Sequence, residues 1–205
     1  ENRALGQALK SALNEVQNLT VFCPATMQAV ELGDDVARVS VRRGDRIETL
    51  NARLVVAADG GRSTLRDRAG IAVSRSDYRQ TALVTNVTTE KPHANVAYER
   101  FTGSGPLAFL PMSAGRCAVV WSLPPDQIEP LLALDDAAFL AALQERFGMR
   151  LGKFLKVGKR AAYPLAFTEV AEHVRPRLVL IGNAAHTVHP VAGQGLNLGL
   201  RDAFE

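Results

Sequence analysis

The sequence has few of the features that would place it at once in a specialised class of protein. Its two cysteines, Cys23 and Cys117, are far apart and give neither a disulfide framework nor a thiolate metal site. We expect both to be buried free thiols in a reducing compartment. No apolar run approaches the roughly 20 residues that a helix needs to cross a bilayer, and the first residues do not resemble a signal peptide. These absences predict a cytoplasmic protein.

Runs of like charge are also missing. The formal net charge is +3 and the isoelectric point is near 9.1, but the lysines and arginines are scattered, with no run of five or more. A nucleic-acid-binding protein would concentrate them in one patch, so the sequence predicts no nucleic-acid partner. Hydrophobic residues at 47% and charged residues at 22% are ordinary for a globular protein with a buried core, as one large domain or two small ones.

Two apolar segments, far apart in the chain, end in a similar way. Residues 178–181 are continuously apolar, which indicates a strand buried on both faces of a parallel sheet, and Gly182 and Asn183 follow directly. Residues 53–58 end at Asp59 and Gly60. Open α/β sheets bind ligands at the carboxyl ends of their strands, so we expect the two tips to lie side by side at one site. The alternative is a pair of ordinary glycine turns without a ligand.

The segment after Asn183 indicates a loop that leads into a helix. The loop contains His186, His189 and Pro190 and reaches Gly193 and Gly195, before apolar residues at 196, 198 and 200 favour a helix. A helix start presents free N–H groups to an electron-rich ligand, and glycine lets the backbone approach that ligand closely. His186 and His189 could also ligate a metal, but no third ligand lies at a suitable spacing.

The rest of the chain predicts a mixed architecture. Hydrophobic spacing in residues 3–16 indicates an amphipathic helix packed on a sheet, and segments at 27–32, 36–41 and 47–50 indicate a β-meander. A helix over 135–147 has Asp135 near its N-cap and Gly148 at its end. Strand-like segments with hairpin-sized gaps predict an antiparallel sheet; they are residues 81–88, 94–101, 107–112 and 117–123, and residues 161–167 form one more strand.

The predicted fold class is therefore α/β, in α+β form. A partial Rossmann-like domain, in which the strand tips lie, is interrupted by an antiparallel β-sheet domain. The predicted division places the first part of the Rossmann-like domain, with its β-meander, at residues 1–74. The antiparallel domain follows at 75–170, and residues 171–205 return to the first domain with a strand, a loop and a helix.

Two motifs mark the strand ends. The first is Asp59-Gly60-x-x-Ser63-x-x-Arg66, with Ser63 a candidate helix N-cap. The second is Gly182-Asn183-Ala184-Ala185-His186, followed by His189-Pro190 and Gly193-x-Gly195-Leu196-Asn197. In this order and separation they resemble the second and third fingerprints of FAD-dependent aromatic hydroxylases of the para-hydroxybenzoate hydroxylase type. Further segments, such as Tyr98-Glu99-Arg100-Phe101-Thr102, resemble the ubiquinone-biosynthesis branch, most of all the 2-octaprenyl-6-methoxyphenol hydroxylases.

The resemblance implies an FAD site, NAD(P)H as reductant, no catalytic side chain and no metal. The implied cofactor-binding residues are Arg3, Asp59, Gly60, Gly182, Asn183, Pro190, Gly193, Gly195, Leu196 and Asn197. Asp59 is expected near the FAD pyrophosphate and is tied to NAD(P)H use, while the N–H groups at 195–197 face the flavin pyrimidine edge. Arg3 is equally consistent with an exposed helical arginine.

Asn183 departs from the family pattern, because the resembling enzymes have Asp at this position. That Asp is expected to meet a ribityl hydroxyl of FAD. An amide oxygen accepts the same hydrogen bond without charge assistance, which weakens it by about 1 kcal/mol. The departure therefore implies weakened rather than abolished FAD binding.

The reaction implied by the resemblance is hydroxylation of a polyprenyl phenol in ubiquinone biosynthesis, using NAD(P)H and O2 through a flavin hydroperoxide. Such a substrate implies a cytoplasmic protein in peripheral contact with the inner membrane, and partners among ubiquinone-synthesis complex proteins. One alternative is another FAD oxidoreductase of the same fold, such as an epoxidase or a halogenase. A second is a non-catalytic scaffold subunit of a quinone-synthesis complex.

The first fingerprint of the resembling family is missing. It is a Gly-x-Gly-x-x-Gly turn that cradles the pyrophosphate, and the pattern Gly193-x-Gly195-x-x-x-Gly199 has the wrong spacing. The sequence also begins without Met and stops within a predicted helix. We therefore expect a piece of a longer protein that, alone, binds FAD weakly or not at all and shows no turnover.

Overall fold

The computed structural model describes the backbone of residues 2–205 and the side chains of residues 4–191 and 193–205. The helices are α1 (Asn2–Asn14), α2 (Thr64–Arg68), α3 (Ile128–Ala133), α4 (Asp136–Phe147) and α5 (Gln194–Phe204). The strands are β1 (Thr26–Leu32), β2 (Ala37–Arg43), β3 (Arg46–Ala52), β4 (Val55–Ala57), β5 (Val73–Thr89), β6 (Tyr98–Thr102), β7 (Gly105–Pro111), β8 (Arg116–Leu123), β9 (Phe154–Val157), β10 (Ala161–Val170), β11 (Val174–Arg175), β12 (Leu178–Leu180) and β13 (His186–Thr187). Short 3-10 turns cover Pro125–Gln127, Gly182–Ala184 and Val191–Gly193.

The chain divides into two compact units. The central unit contains residues 77–165 together with residues up to Gly6 at the start of α1, and the flanking unit contains residues 7–76 and 166–205. Strands β5 and β10 each contribute residues to both units, because the chain passes from one unit to the other within them. The predicted domain boundaries at 74/75 and 170/171 concern the whole protein and stay predictions.

An antiparallel sheet forms the central unit, as the hairpin-sized gaps predict. Strand β7 pairs with β6 on one side and β8 on the other, and β8 pairs with β5, which also pairs with β9. Alternate residues of β7 and β8 point into the core, because side chains along a strand alternate between the two faces of a sheet. Leu107 and Phe109 on β7, and Val119 on β8, are fully buried there.

Helix α4 covers this apolar face. Its buried residues Phe139, Leu143 and Phe147 recur at helical spacing and pack into the same core. Asp135 caps its start by accepting a hydrogen bond from the Ala138 N–H at 2.8 Å, and Gly148, at φ 86°, ends it. Both helix ends confirm the sequence prediction, whereas the short helix α3 before it was not anticipated.

Strand β6 begins at Tyr98, four residues later than predicted. Ala94 and Asn95 have φ values of 49° and 59°, which form a left-handed turn rather than extended backbone. His93 holds this turn, because its Nδ1 accepts the Asn95 N–H at 3.0 Å and its carbonyl accepts the Val96 N–H at 2.8 Å. The sequence pattern of residues 94–97 gave no sign of this local hydrogen bonding.

The flanking unit contains two small sheets. One is the predicted β-meander, with β2 paired antiparallel to both β1 and β3. In the other, β12 pairs antiparallel with β11 and parallel with β4, so that Leu178 lies opposite Val55 and Leu180 opposite Ala57. The prediction that these two apolar strands lie side by side and run in the same direction is confirmed. Their buried residues form a second, smaller core with Leu65.

Two surface predictions are wrong. The apolar face of α1 does not pack on a sheet, since Leu5, Leu9 and Leu13 are 46%, 56% and 50% exposed. Hydrophobic periodicity predicts which face of a helix is apolar but does not supply a surface to cover it. Cys23 is exposed, so of the two free thiols only Cys117 is buried. Within residues 2–205, no helix has both the length and the apolar character needed to cross a membrane.

Candidate functional site

The tips of β4 and β12 carry the first two parts of the candidate site. After β4 the chain turns at Gly60, with φ 85°, and after β12 it turns at Gly182, with φ 56°. Both values favour glycine, because a Cβ is disfavoured in this left-handed region. The Ile181 N–H donates to the Ala57 carbonyl at 3.0 Å, which extends the parallel pairing to the start of the second turn. The two turns therefore leave the sheet side by side.

Asp59 caps the helix that follows the first strand tip. Its Oδ2 accepts the Leu65 N–H at 3.2 Å and the Thr64 hydroxyl at 3.4 Å, while Ser63 Oγ accepts the Arg66 N–H at 3.1 Å. Burial opposes ionisation of Asp59, but hydrogen bonds from Ser63 and from backbone N–H groups outweigh it and lower the pKa of this carboxyl. The carboxylate is therefore held ionised at the start of α2, where negative charge is favourable.

Arg66 ties the two turns together from within the protein. It is 5% exposed, and its guanidinium donates through Nη2 to the Gly61 carbonyl at 3.3 Å and through Nη1 to the Ala184 carbonyl at 3.2 Å. Its Nε and Nη2 also bind the carboxylate of Asp67. One buried cation thus crosslinks the turn after β4 and the turn after β12, which are distant in sequence. Its position in the first motif was noted from the sequence, but this structural link was not.

Asp202 on α5 forms a second link that sequence reasoning missed. Its Oδ2 accepts the Gly182 N–H at 2.7 Å and lies 2.9 Å from Nε2 of His186. The available signal was the spacing of Gly199 and Asp202, which places both on one face of a helix. A Cβ added at Gly199 would lie 3.3 Å from the Cα of Gly182, so this helix face lies directly against the turn.

A cleft of about 690 Å³ opens between the strand tips and the start of α5. Its size lies within the range of pockets that bind small molecules and cofactors. None of its described lining residues is charged, and most are glycine or apolar. They are Ala58, Gly60, Ile181, Gly182, Asn183, Thr187, Val188, Pro190, Gly193, Gly195, Leu196, Gly199 and Leu200. Most of the predicted cofactor-binding residues therefore lie around one space.

The remaining predicted residues lie elsewhere. Asp59 lines a neighbouring cavity of about 490 Å³, which also touches β1 and Arg68 and which shares Ala58 with the first cleft. Asn197 is exposed on α5 and is outside the described lining of either space. Arg3 lies outside the residues whose side chains are described.

The glycines test whether a flat ligand fits the cleft. A Cβ added at Gly60, Gly193 or Gly195 would meet no protein atom within 4 Å. At Gly60 and Gly193 the positive φ already explains glycine, but Gly195 lies in α5 without a positive φ. Glycine there costs about 1 kcal/mol in helix propensity and neither packing nor backbone conformation requires it. Close approach of a ligand to the backbone does explain it.

The first turn of α5 sets the electrostatics of the cleft. Gly193 is its N-cap without a side-chain hydrogen bond, and the early N–H groups of a helix have no acceptor within it. These groups and the positive end of the helix dipole favour an electron-rich ligand edge. With apolar walls and no charged side chain among the described lining residues, the arrangement suits a flat, largely uncharged ring system that accepts hydrogen bonds. The residues present therefore fit a flavin ring.

Comparisons with known proteins agree with this geometry. Residues 3–205 match the model of a family described as FAD binding domain. The chain is 45% identical over 202 residues to "Ubiquinone hydroxylase UbiL" of Rhodospirillum rubrum, covering 98% of this chain and 46% of that protein. It is 36% identical over 202 residues to "3-demethoxyubiquinol 3-hydroxylase" of Escherichia coli, covering 98% and 51%. The chain thus spans about half the length of these curated relatives.

The fold is also found among solved structures. The crystal structure of pqsL of Pseudomonas aeruginosa, described as a probable FAD-dependent monooxygenase, superposes with a TM-score of 0.82 at 23% identity. The match covers 98% of this chain and 57% of that one. The predicted mixed α/β fold with an antiparallel sheet is confirmed by this likeness. The family match over residues 3–205 shows that the chain belongs to the FAD-binding-domain family.

Proposed function

We propose that the whole protein containing this chain is an FAD-dependent, NAD(P)H-using monooxygenase that hydroxylates a polyprenyl phenol in ubiquinone biosynthesis. The observation that carries the proposal is the uncharged cleft in which the two strand-end turns meet the start of α5. The names of the two curated relatives support the pathway and the reaction class. One relative is named for 3-demethoxyubiquinol. The test therefore also determines which ring position is hydroxylated.

The cleft residues would hold the flavin ring of FAD. Gly195 and Leu196 would offer backbone N–H groups to its pyrimidine edge, where the helix dipole favours the negative charge of the reduced state. The amide of Asn183 would meet the ribityl chain. When bound, FAD supplies the redox chemistry that activates O2, and NAD(P)H supplies the electrons. The protein contributes orientation and exclusion of water, so no side chain of this chain needs to act as an acid or a base.

The cavity beside Asp59 extends the proposal. Ala58 lines both this cavity and the main cleft, and the cavity wall also includes Asp59, Thr26, Gln28 and Arg68. We assign it to the phosphate-bearing part of the cofactor, where Arg68 offers a cation and Asp59 holds the α2 start in place. Because the Gly-x-Gly-x-x-Gly turn is absent from residues 1–205, this chain alone is expected to bind FAD weakly or not at all.

The test uses the full-length protein. With FAD, NAD(P)H and a polyprenyl phenol, the product should gain one ring hydroxyl, and mass spectrometry of the product locates it. Asn183→Asp is expected to tighten FAD binding by roughly fivefold, since the added charge strengthens the hydrogen bond to the ribityl chain by about 1 kcal/mol. A product containing halogen or an epoxide would favour another oxidoreductase of this fold over the hydroxylase.

A non-catalytic scaffold subunit of a quinone-synthesis complex is the second candidate, because Asn183 stands where the flavin enzymes carry Asp. Under that hypothesis the full-length protein oxidises no NAD(P)H with a polyprenyl phenol, either alone or with the other proteins of the complex. NAD(P)H oxidation that depends on the phenol and yields hydroxylated product excludes the scaffold.

A further inference from the structure

One carboxylate behind the cleft has no part in the proposed chemistry. The side chain of Asp202 is 23% exposed, and a single oxygen, Oδ2, accepts the Gly182 N–H and faces Nε2 of His186. The side chain of His186 is 17% exposed, and its ring stacks on His173 with centroids 6.0 Å apart and planes at 27°. Two hydrogen-bonding partners on separate elements thus converge on one oxygen atom. A carboxylate on the surface usually makes fewer such contacts.

The backbone contact beside this carboxylate fixes the same two elements. The Cα of Gly182 would lie 3.3 Å from a Cβ at Gly199, a distance tighter than ordinary van der Waals contact. Gly199 and Asp202 are one helical turn apart on α5, so helix and turn meet at two points. A helix held at two points along its axis cannot slide or rotate against the turn without breaking one of them.

This docking sets the width of the cleft. Gly182 and Asn183 line the cleft from the turn after β12, and Gly195 and Leu196 line it from the start of α5. The same two segments are joined behind the cleft by Asp202. A change in this link therefore moves the two walls relative to one another, although Asp202 itself is outside the described lining.

We propose that Asp202 is a positioning residue for the cofactor cleft. It holds the turn after β12 and the start of α5 at the spacing that a flavin ring needs, and His186 fixes the orientation of its carboxylate. This inference rests on the proposed function, because it concerns how the FAD site is shaped. A purely stabilising residue would hold the fold together without affecting how the folded protein binds the flavin.

The experiment compares three variants of the full-length protein. Asp202→Asn keeps an oxygen that can accept both hydrogen bonds, and Asp202→Ala removes it. Glu205→Gln is the control, since Glu205 is an exposed acid directly after the same helix and pairs only with Arg201 among the contacts described. FAD affinity of the apoprotein is measured by fluorescence titration, the flavin absorption band reports the ring environment, and the Gly182 amide resonance reports the link without FAD.

We expect Asp202→Ala to weaken FAD binding by roughly 10- to 100-fold, to move the flavin absorption band and to shift the Gly182 amide resonance upfield as its hydrogen bond is lost. Asp202→Asn should bind FAD within about threefold of wild type, and Glu205→Gln should match wild type in all three measurements.

Two results would overturn the inference. In one, Asp202→Ala lowers thermal stability but leaves FAD affinity and the flavin band of the folded protein unchanged, so the residue is structural only. In the other, the Gly182 resonance is the same in wild type and Asp202→Ala, so the link does not form. If wild type itself does not bind FAD, the proposed function fails whatever the variants show, and the Gly182 resonance still decides whether the link exists.

Discussion

The two units of the molecule are built in different ways. The central unit is filled with aromatic side chains, and the ring of Phe109 lies 4.0 Å from that of Phe147 and 5.2 Å from that of Phe154, measured between centroids. The flanking unit has a smaller core in which alanines such as Ala184 recur, and its loops are held by buried polar groups, above all Arg66. Apolar volume stabilises the first, whereas specific hydrogen bonds shape the second.

This difference predicts that substitutions in the two units have different effects on stability and on FAD binding. Dispersion and hydrophobic burial are non-directional, so they stabilise a sheet without placing any single backbone atom. Hydrogen bonds between a guanidinium or a carboxylate and backbone groups fix positions, as at Gly61, Gly182 and Ala184. Substitutions in the central unit should therefore change the free energy of unfolding, and those in the flanking unit should also change FAD binding.

The largest effect is expected in the central unit. Phe109→Ala should lower the free energy of unfolding by about 3 to 5 kcal/mol, because it leaves a cavity among packed rings. Chemical denaturation of the full-length protein measures this loss. Phe101→Ala is the control, since Phe101 is 72% exposed on the neighbouring strand and should cost little. If the folded Phe109→Ala protein binds FAD much more weakly, the proposed separation between the units is wrong.

A smaller loss of stability, accompanied by a loss of binding, is expected at Arg66. Arg66→Met keeps the apolar stem but leaves the carbonyls of Gly61 and Ala184 without their donor, which should cost about 2 to 3 kcal/mol. FAD titration should show weaker binding in the folded fraction. Arg62→Met, at an exposed arginine of the same turn, should leave both quantities near wild type. Unchanged FAD affinity in Arg66→Met would show that this link does not shape the cleft.

A substitution at Gly195 should change protein stability and FAD affinity in opposite directions. Gly195→Ala should raise the stability of the apoprotein by about 0.5 to 1 kcal/mol, because alanine favours a helix and meets no protein atom there. The same methyl group should weaken FAD binding, since it projects into space that the ligand approaches. Gly6→Ala in α1, where a Cβ also meets nothing within 4 Å, should leave binding unchanged. Tighter FAD binding in Gly195→Ala would contradict the assigned approach.

The smallest effect concerns the pH dependence of stability. The pKa of Asp59 lies below its ordinary value of 3.8. The ionised carboxylate therefore adds to the free energy of unfolding above that pH, and this contribution is lost as the pH falls through the lowered pKa. Asp59→Asn should flatten the fall in unfolding free energy below about pH 4. Asp45→Asn in the exposed β2–β3 turn should keep the wild-type profile. Equal profiles for wild type and Asp59→Asn would mean that the cap at α2 contributes nothing.

The sequence carries the local features of this fold but not its tertiary links. Caps such as Ser63 and Asp135, and the turn glycines Gly60 and Gly182, depend on neighbours within a few residues and were predictable. The parallel pairing of β4 with β12 was predictable because two apolar strands ended in similar motifs. Asp202 and Arg66 act on groups 20 and 118 residues away, and their roles appear only in three dimensions.

Other features depended on interactions that the hydrophobic pattern of the sequence does not reveal. The left-handed turn at Ala94 replaces the start of a predicted strand because His93 supplies a local acceptor. The leucines of α1 satisfy a helical period yet remain half-exposed. The glycines predicted to bind the cofactor all line the cleft, and a requirement for a missing Cβ at such positions is visible in the sequence. The side chain of Asn197 is exposed and outside the described lining of the cleft, because helical rotation decides which side chains of α5 face it. The contact predicted for Asn197 is made by its backbone N–H and stays a prediction.

A crystal structure of the full-length protein with FAD tests the central claim most directly, namely that the tips of β4 and β12 and the start of α5 form the flavin site. The expected result is an isoalloxazine ring bounded by residues 58–60 and 182–183, with the N–H groups of Gly195 and Leu196 within hydrogen-bond distance of its pyrimidine edge. A ring bound elsewhere, with the cleft at Gly195 filled only by water, would contradict the account.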